Sequence, residues 1–253
     1  MLKVNSNMHR NIITHPSYNP KDIVYGFVGK KFKLSTHNYR ISDATTQENI
    51  RKILSSIGKK DYKMSILNQV HGRKCIIVDD QSSLYSEGDG HVTKSDRIML
   101  GIRTADCIPI LFVDTTNKIV GAAHSGWRGS IGGIIESTMD KMKELGAKDE
   151  YIDVIIGPSI HQDSYEVSED FLEKFNQETE GNKIFFKPSS RQGHYMFDLL
   201  GYAKSKLKQY KFKNILDIKM DTLKDEENWF SYRRSTLRNQ ALDGQIFSFV
   251  GIN

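Results

Sequence analysis

Residues 98–129 read IMLGIRTADCIPILFVDTTNKIVGAAHSGWRG, and the alternation of apolar runs and polar breaks in this stretch decides the fold. Three runs, IMLGI, PILFV and IVGAA, are short and bounded by polar or small residues, the pattern of strands buried on both faces. DTTNK (114–118) supplies a turn between the second and third, which predicts a hairpin. Antiparallel pairing sets the start of one strand beside the end of the next. Cys107 precedes the first hairpin strand and His124 ends the second, so both are expected at one edge.

Outward from this stretch the pattern alternates between β and α. Upstream, SILNQVHGRKCIIVDD (65–80) reads as two β-rich runs broken at His71-Gly72, which places His71 at a strand end or turn. Thr45 to Glu48 offers a capping box, and Ile50, Ile53, Leu54 and Ile57 follow at helical spacing before Gly58. Downstream, Ile131, Ile134, Ile135, Thr138, Met139, Met142 and Leu145 predict one helix ended by Gly146. YIDVIIGPSI (151–160) predicts another buried strand, Ser168 caps a short helix, and Asp198 caps a helix reaching Tyr210. FKNILDIKM (212–220) and QIFSFVGI (245–252) read as late strands. With no repeat and no Pro/Ser-rich linker, the expectation is a poorly packed segment over 1–20. Residues 21–253 are expected to form a single α+β domain, mixed β-sheets flanked by helices.

A chain of 253 residues, 38% hydrophobic and 26% charged, buries a sizeable core and is neither fibrous nor disordered. No segment has the roughly 18 apolar residues that cross a bilayer, and the N-terminus lacks a signal-peptide core, so a cytoplasmic protein without a membrane partner is expected. The two cysteines, Cys75 and Cys107, exclude a disulfide framework. The net charge of +5 is spread along the chain, and KSKLKQYKFK (204–213) reads as a solvated helix face. No nucleic-acid partner is expected, whereas an anionic small substrate fits the charge.

His71, Cys107 and His124 all stand at strand margins beside polar or small residues. Zinc takes imidazole nitrogen and thiolate sulfur, and a catalytic site keeps three protein ligands and one open position. Their spacing is unlike compact finger motifs, and each has a plain alternative as packing thiol, turn histidine or core imidazole. Cys107 as nucleophile with His124 as base is a metal-free alternative, a hydrolase or deamidase that has no need of His71. Two His and one Cys also suit copper. A four-copper polyphenol oxidase needs clustered imidazoles, and this chain has eight His in total.

NQVHG (68–72), TADCIP (104–109), HSGWRG (124–129), IGPSI (156–160) with SYEV (164–167), and NWFSYRR (228–234) occur in the order in which the YfiH/laccase-domain family carries them. The chain resembles that family from about Lys21 onward. The resemblance implies a cytoplasmic purine nucleoside enzyme, with phosphorylase activity on adenosine, inosine, guanosine and methylthioadenosine and an adenosine deaminase activity. It makes His71, Cys107 and His124 the ligands of a catalytic zinc, with copper possible in vitro. Purine nucleosides and inorganic phosphate are the implied partners, and a monomer or weak homodimer is expected. Asn38, Arg51, Gln69, Arg128, Arg233 and Arg234 are the candidate substrate or phosphate contacts. If FSYRR is a strand, alternation sends Arg233 and Arg234 to opposite faces and only one into the site. The chain departs from the family in its first glycine-rich stretch, where FVGKKFKLSTHNYRI (27–41) keeps Asn38. It departs again in the first helix, where Asn49-Ile50-Arg51 replaces an Asn-Arg pair and rotates the arginine by about 100°. Cysteines common near IGPSI and before WFSYRR are absent.

Overall fold

The computed structural model describes residues 11–32, 34, 44–82, 84–177 and 180–253. Two six-stranded sheets stack face to face. The first has the order Ile12–Ile13, Ile23–Val28, Ile246–Ile252, Ile98–Thr104, Lys63–Asn68, Tyr85–Glu87. The second runs Asn214–Asp217, Ile152–Ile156, Ile108–Asp114, Ile119–Ser125, Gly90–Thr93, Cys75–Ile77. A smaller sheet joins Glu166–Ser168, His194–Phe197 and Phe186–Pro188.

Strand periodicity explains the layering, because successive side chains leave opposite faces of a sheet. From Ile98–Thr104, the side chains of Ile98, Leu100 and Ile102 enter the core between the sheets, where they meet Leu111, Val113, Val120 and Ala122 from the hairpin. The alternate residues Met99, Phe247 and Phe249 face outward and are covered by Ile50, Ile53 and Leu54 of the helix Ala44–Ser56. On the far side, Ile108, Ile110 and Phe112 meet Ile135, Met139 and Met142 of the helix Ile134–Glu144, together with Leu199 and Ala203 of the helix Leu199–Leu207. Helices therefore cover both outer faces, and the central strands Ile98–Thr104, Ile108–Asp114, Ile119–Ser125 and Ile246–Ile252 are buried along almost their whole length. Burying each large side chain is worth roughly 1.5–3 kcal/mol.

The expected hairpin is present: Ile108–Asp114 pairs antiparallel with Ile119–Ser125, Pro109 opposite His124. Asp114 closes the turn by accepting from the backbone N–H of Thr116 and Asn117. Asp198 caps its helix by accepting from Gly201 N, and that helix ends at Leu207, short of Tyr210. Ser168 stands at the N-cap of Glu169–Asn176, and Gly146 follows the Ile134–Glu144 helix at φ 104.

Three local expectations are corrected. The helix expected from Ile131 is two, Trp127–Gly132 and Ile134–Glu144, because Gly133 adopts φ 92, a left-handed conformation that stops the first. The first long helix begins at Ala44, so Thr45 lies inside it and is not its cap. The strand alternation applied to FSYRR (230–234) does not hold, because Tyr232–Leu237 is a short helix with Ser231 accepting from Arg234 N. Within the segment 1–20, expected to be poorly packed, Ile12–Ile13 pairs with the strand Ile23–Val28 and Tyr18 Oη donates to Asp153.

Candidate metal centre and active site

Three strands of the first sheet, Lys63–Asn68, Tyr85–Glu87 and Ile98–Thr104, run parallel, so they all end at the same edge. Each is followed by a connection that carries the chain into the second sheet, and these connections hold His71, Asp89 and Cys107. In the second sheet Gly90 lies opposite Ala123, which brings the end of the hairpin, with His124, to the same place. Residues far apart in sequence thus meet at one crossover edge.

One ligand atom from each of His71, Cys107 and His124 lies within 4.8 Å of the other two. The imidazole rings of His71 and His124 are 4.7 Å apart at 74°. His71 is exposed, Cys107 partly buried and His124 buried. His71 has φ 60 and Asp106, next to Cys107, has φ 85, so the backbone is held in the left-handed region on both connections. Gly126 is required beside them: a Cβ there would stand 2.9 Å from Cys107 Sγ and 3.2 Å from the His71 ring.

Asp89, fully buried, organises the cluster. Its carboxylate accepts from His124 Nδ1 (2.7 Å) and from the backbone N–H of Val70 (3.2 Å), His71 (2.9 Å) and Gly72 (2.7 Å). One side chain therefore shapes the loop of one ligand and orients the ring of another. With Nδ1 engaged, His124 is left with Nε2 for the cluster, the carboxylate–histidine arrangement that supports metal ligands. Burial alone would raise the Asp89 pKa, but His124 and these N–H groups hold it below the ordinary carboxylate value.

Burial also raises the Cys107 thiol, yet the facing His124 and His71 draw it down to about 6. For His124 burial acts downward, and the Cys107 sulfur and Asp89 carry it up to about 9. The cluster thus favours a thiolate. Two imidazole nitrogens and a thiolate sulfur are donors that zinc accepts, and three ligands leave a position for another group.

The cluster forms part of the wall of a cavity of about 690 Å³, also lined by Gln69, Arg103, Arg128, Tyr232 and Arg233. Arg128 lies over the Trp127 ring at 4.3 Å. Arg233 donates from its guanidinium to Glu166 O, and its backbone N–H donates to Asp106 Oδ2 at 2.6 Å. The other Asp106 oxygen accepts from Thr222 Oγ1 at 2.6 Å, tying the Tyr232–Leu237 helix to the Cys107 connection. Gln69 is clamped to the main chain of Arg103, donating to its carbonyl at 2.8 Å and accepting from its N–H at 2.9 Å.

Of the remaining candidates, Arg234 is buried and donates to the carbonyls of Thr222, Leu223 and Trp229, so it braces its own helix and does not line the cavity. Arg51 is exposed on the helix Ala44–Ser56 and is absent from the cavity wall. Asn38 lies outside the described residues. Sequence reasoning missed the structural parts of Asp89 and Asp106; the signal for Asp89 was an acidic residue between two glycines at the start of a buried strand.

The family described as multi-copper polyphenol oxidoreductase laccase matches residues 30–253. The chain belongs to this YfiH/laccase-domain family. Among family members, a purine nucleoside phosphorylase of Rickettsia conorii is 35% identical over 233 residues, covering 90% of this chain and 95% of that one. The purine nucleoside phosphorylase of Rickettsia prowazekii is 36% identical, with coverage of 92% and 97%. An adenosine deaminase from an unknown prokaryotic organism is 36% identical over 104 residues, 41% of this chain and 40% of that one. A Neisseria meningitidis protein has the same fold, with a TM-score of 0.79 at 22% identity over 96% of this chain and all (100%) of that one. The Bacillus licheniformis YfiH protein likewise gives 0.79 at 23% identity, covering 91% and 93%. Among the described residues no helix is long and apolar enough to cross a membrane.

Proposed function

We propose that this chain is a cytoplasmic, zinc-dependent purine nucleoside phosphorylase acting on adenosine, inosine, guanosine and methylthioadenosine, with an adenosine deaminase activity. The observation that carries the reading is the His71, Cys107 and His124 cluster in the wall of a cavity that also presents Arg128 and Arg233. The names of the relatives in the family support the substrate class. A cavity of this size is within the range that encloses a small organic ligand.

His71, Cys107 and His124 would hold the zinc, whose chemistry in a three-ligand site is Lewis acidity and the activation of water near neutral pH. Asp89 keeps the His124 proton at Nδ1 and so keeps Nε2 available. For phosphorolysis, inorganic phosphate must be held beneath C1′ of the ribose while positive charge develops there. We assign that role to Arg128 and Arg233, because the guanidinium of Arg234 is consumed by main-chain carbonyls and that of Arg103 donates to the Leu67 carbonyl. Gln69 keeps the wall in place through Arg103.

Incubating the protein with adenosine, with and without phosphate, and separating adenine, inosine and hypoxanthine tests this. Base release that requires phosphate supports phosphorolysis; equal release without phosphate makes the enzyme a hydrolase and overturns the mechanism. Elemental analysis should find about one zinc per chain, and copper in its place would revive the oxidase reading.

A second reading has one observation in its favour. The Cys107 thiolate, held at about 6, faces a His124 held at about 9, which is the polarity of a Cys/His hydrolase. His71→Ala separates the two: it should abolish activity in the metal enzyme and leave a Cys/His dyad working.

A further inference from the structure

Beyond Trp127, Tyr165 and Arg233 lies a second cavity, about 320 Å³, which shares these three residues with the first. Its floor is aromatic, with Trp127 and Phe171 in edge contact at 4.8 Å. Its remaining wall comes from the small sheet, where Ser168 and His194 are register partners, and from Arg191 in the loop before His194. Arg191, His194 and Arg233 supply cationic or protonatable groups against one carboxylate, Glu166. That carboxylate is already engaged, accepting from Ser189 Oγ at 2.5 Å and lying 3.9 Å from Arg191.

The first cavity, at about 690 Å³, has room for a nucleoside, so a group that reaches the second is read as an extension of that substrate. The balance of charge selects an anion. The 2′- and 3′-hydroxyls lie on the face of the ribose from which phosphate attacks C1′, so C5′ is the position from which an extension leaves without crossing the nucleophile. We propose that the second cavity is a subsite for the 5′-phosphate of a purine mononucleotide, with Arg191 and His194 as its specificity residues. This rests on the nucleoside reading of the first cavity.

Isothermal titration of the purified metal-loaded protein with adenosine, adenosine 5′-monophosphate, adenosine 3′-monophosphate and inorganic phosphate provides the test. The 5′-monophosphate should bind about tenfold tighter than adenosine, as a charge-assisted arginine contact allows. That advantage should vanish in Arg191→Ala and reverse in Arg191→Glu, while adenosine binding and turnover stay unchanged. Arg191 is largely exposed, with 68% of its side chain accessible, and matched thermal melts would show that the variants fold. Equal binding of adenosine and its 5′-monophosphate, or a preference insensitive to Arg191, overturns the subsite. So does a 3′-monophosphate bound as well as the 5′ isomer, or free phosphate that binds with the same dependence on Arg191 and displaces no nucleotide. If adenosine fails to bind while the 5′-monophosphate binds through Arg191, the subsite stands and the nucleoside reading falls.

Discussion

Asp89→Asn tests the organisation of the centre with one atom changed. The carboxylate oxygens divide their work: Oδ1 accepts from His71 N and His124 Nδ1, and Oδ2 from Val70 N and Gly72 N. An amide has one accepting oxygen, so whichever way it is placed its NH₂ faces donors. With NH₂ toward Val70 and Gly72, two charge-assisted bonds are lost at about 1.5–3 kcal/mol each, and the His71 loop loses its anchor. The opposite placement sets NH₂ against His124 Nδ1–H and favours the other imidazole tautomer, which withdraws Nε2 from the cluster. Relaxation of the loop reduces the first cost, so about 3 kcal/mol of stability is expected, a large share of the roughly 5–15 kcal/mol of a typical protein. Zinc affinity should fall about 10- to 100-fold, the usual effect of losing a supporting hydrogen bond to a ligand. Equilibrium urea unfolding reads the first quantity and competition with a chromophoric chelator the second. A variant within about 0.5 kcal/mol of the parent, the range of ordinary surface changes, that also keeps its zinc affinity would refute this account of Asp89.

Gly126→Ala should lower zinc affinity more than stability, because its Cβ would meet Cys107 Sγ at 2.9 Å and the His71 ring at 3.2 Å; unchanged metal content after dialysis would contradict the close approach. Arg234→Met leaves the carbonyls of Thr222, Leu223 and Trp229 without their donor, and a loss of about 3–5 kcal/mol is expected in urea unfolding; a neutral result would show that water replaces the guanidinium. His91 is fully buried between the sheets, and burial lowers its pKa from 6.5 to about 3. Its neutral form is the folded one, so its contribution is complete above about pH 6.5 and is lost as pH falls toward 3, at up to about 1.4 kcal/mol per pH unit. His91→Asn should flatten that part of the stability profile, and a variant with the parent's slope would assign the effect elsewhere.

The apolar runs of residues 98–129 were sufficient, without any structure, to determine the hairpin and the placement of Cys107 beside His124, because continuous apolar runs and a polar turn between them are local properties of the chain. The capping of the helix at Asp198 and the stop at Gly146 were legible for the same reason. The break at Gly133 and the helical state of Tyr232–Leu237 were not, because the apolar spacing runs on through Gly133 and a six-residue helix is too short to show a period. Nor did strand patterns reveal that the chain changes sheet at each of the connections that hold His71, Asp89 and Cys107: a strand buried on both faces reads alike in either sheet. That choice of sheet is what brings His71 to the hairpin and sets Asp89 beneath both. The helix Tyr232–Leu237, in turn, separates Arg233, which lines the cavity, from Arg234, whose guanidinium donates to the carbonyls of Thr222, Leu223 and Trp229. Residue types and order along the chain determined which donors exist; only the tertiary structure decided their convergence, because contacts between residues distant in sequence are settled by the packing of two sheets and leave no periodic mark on either segment alone.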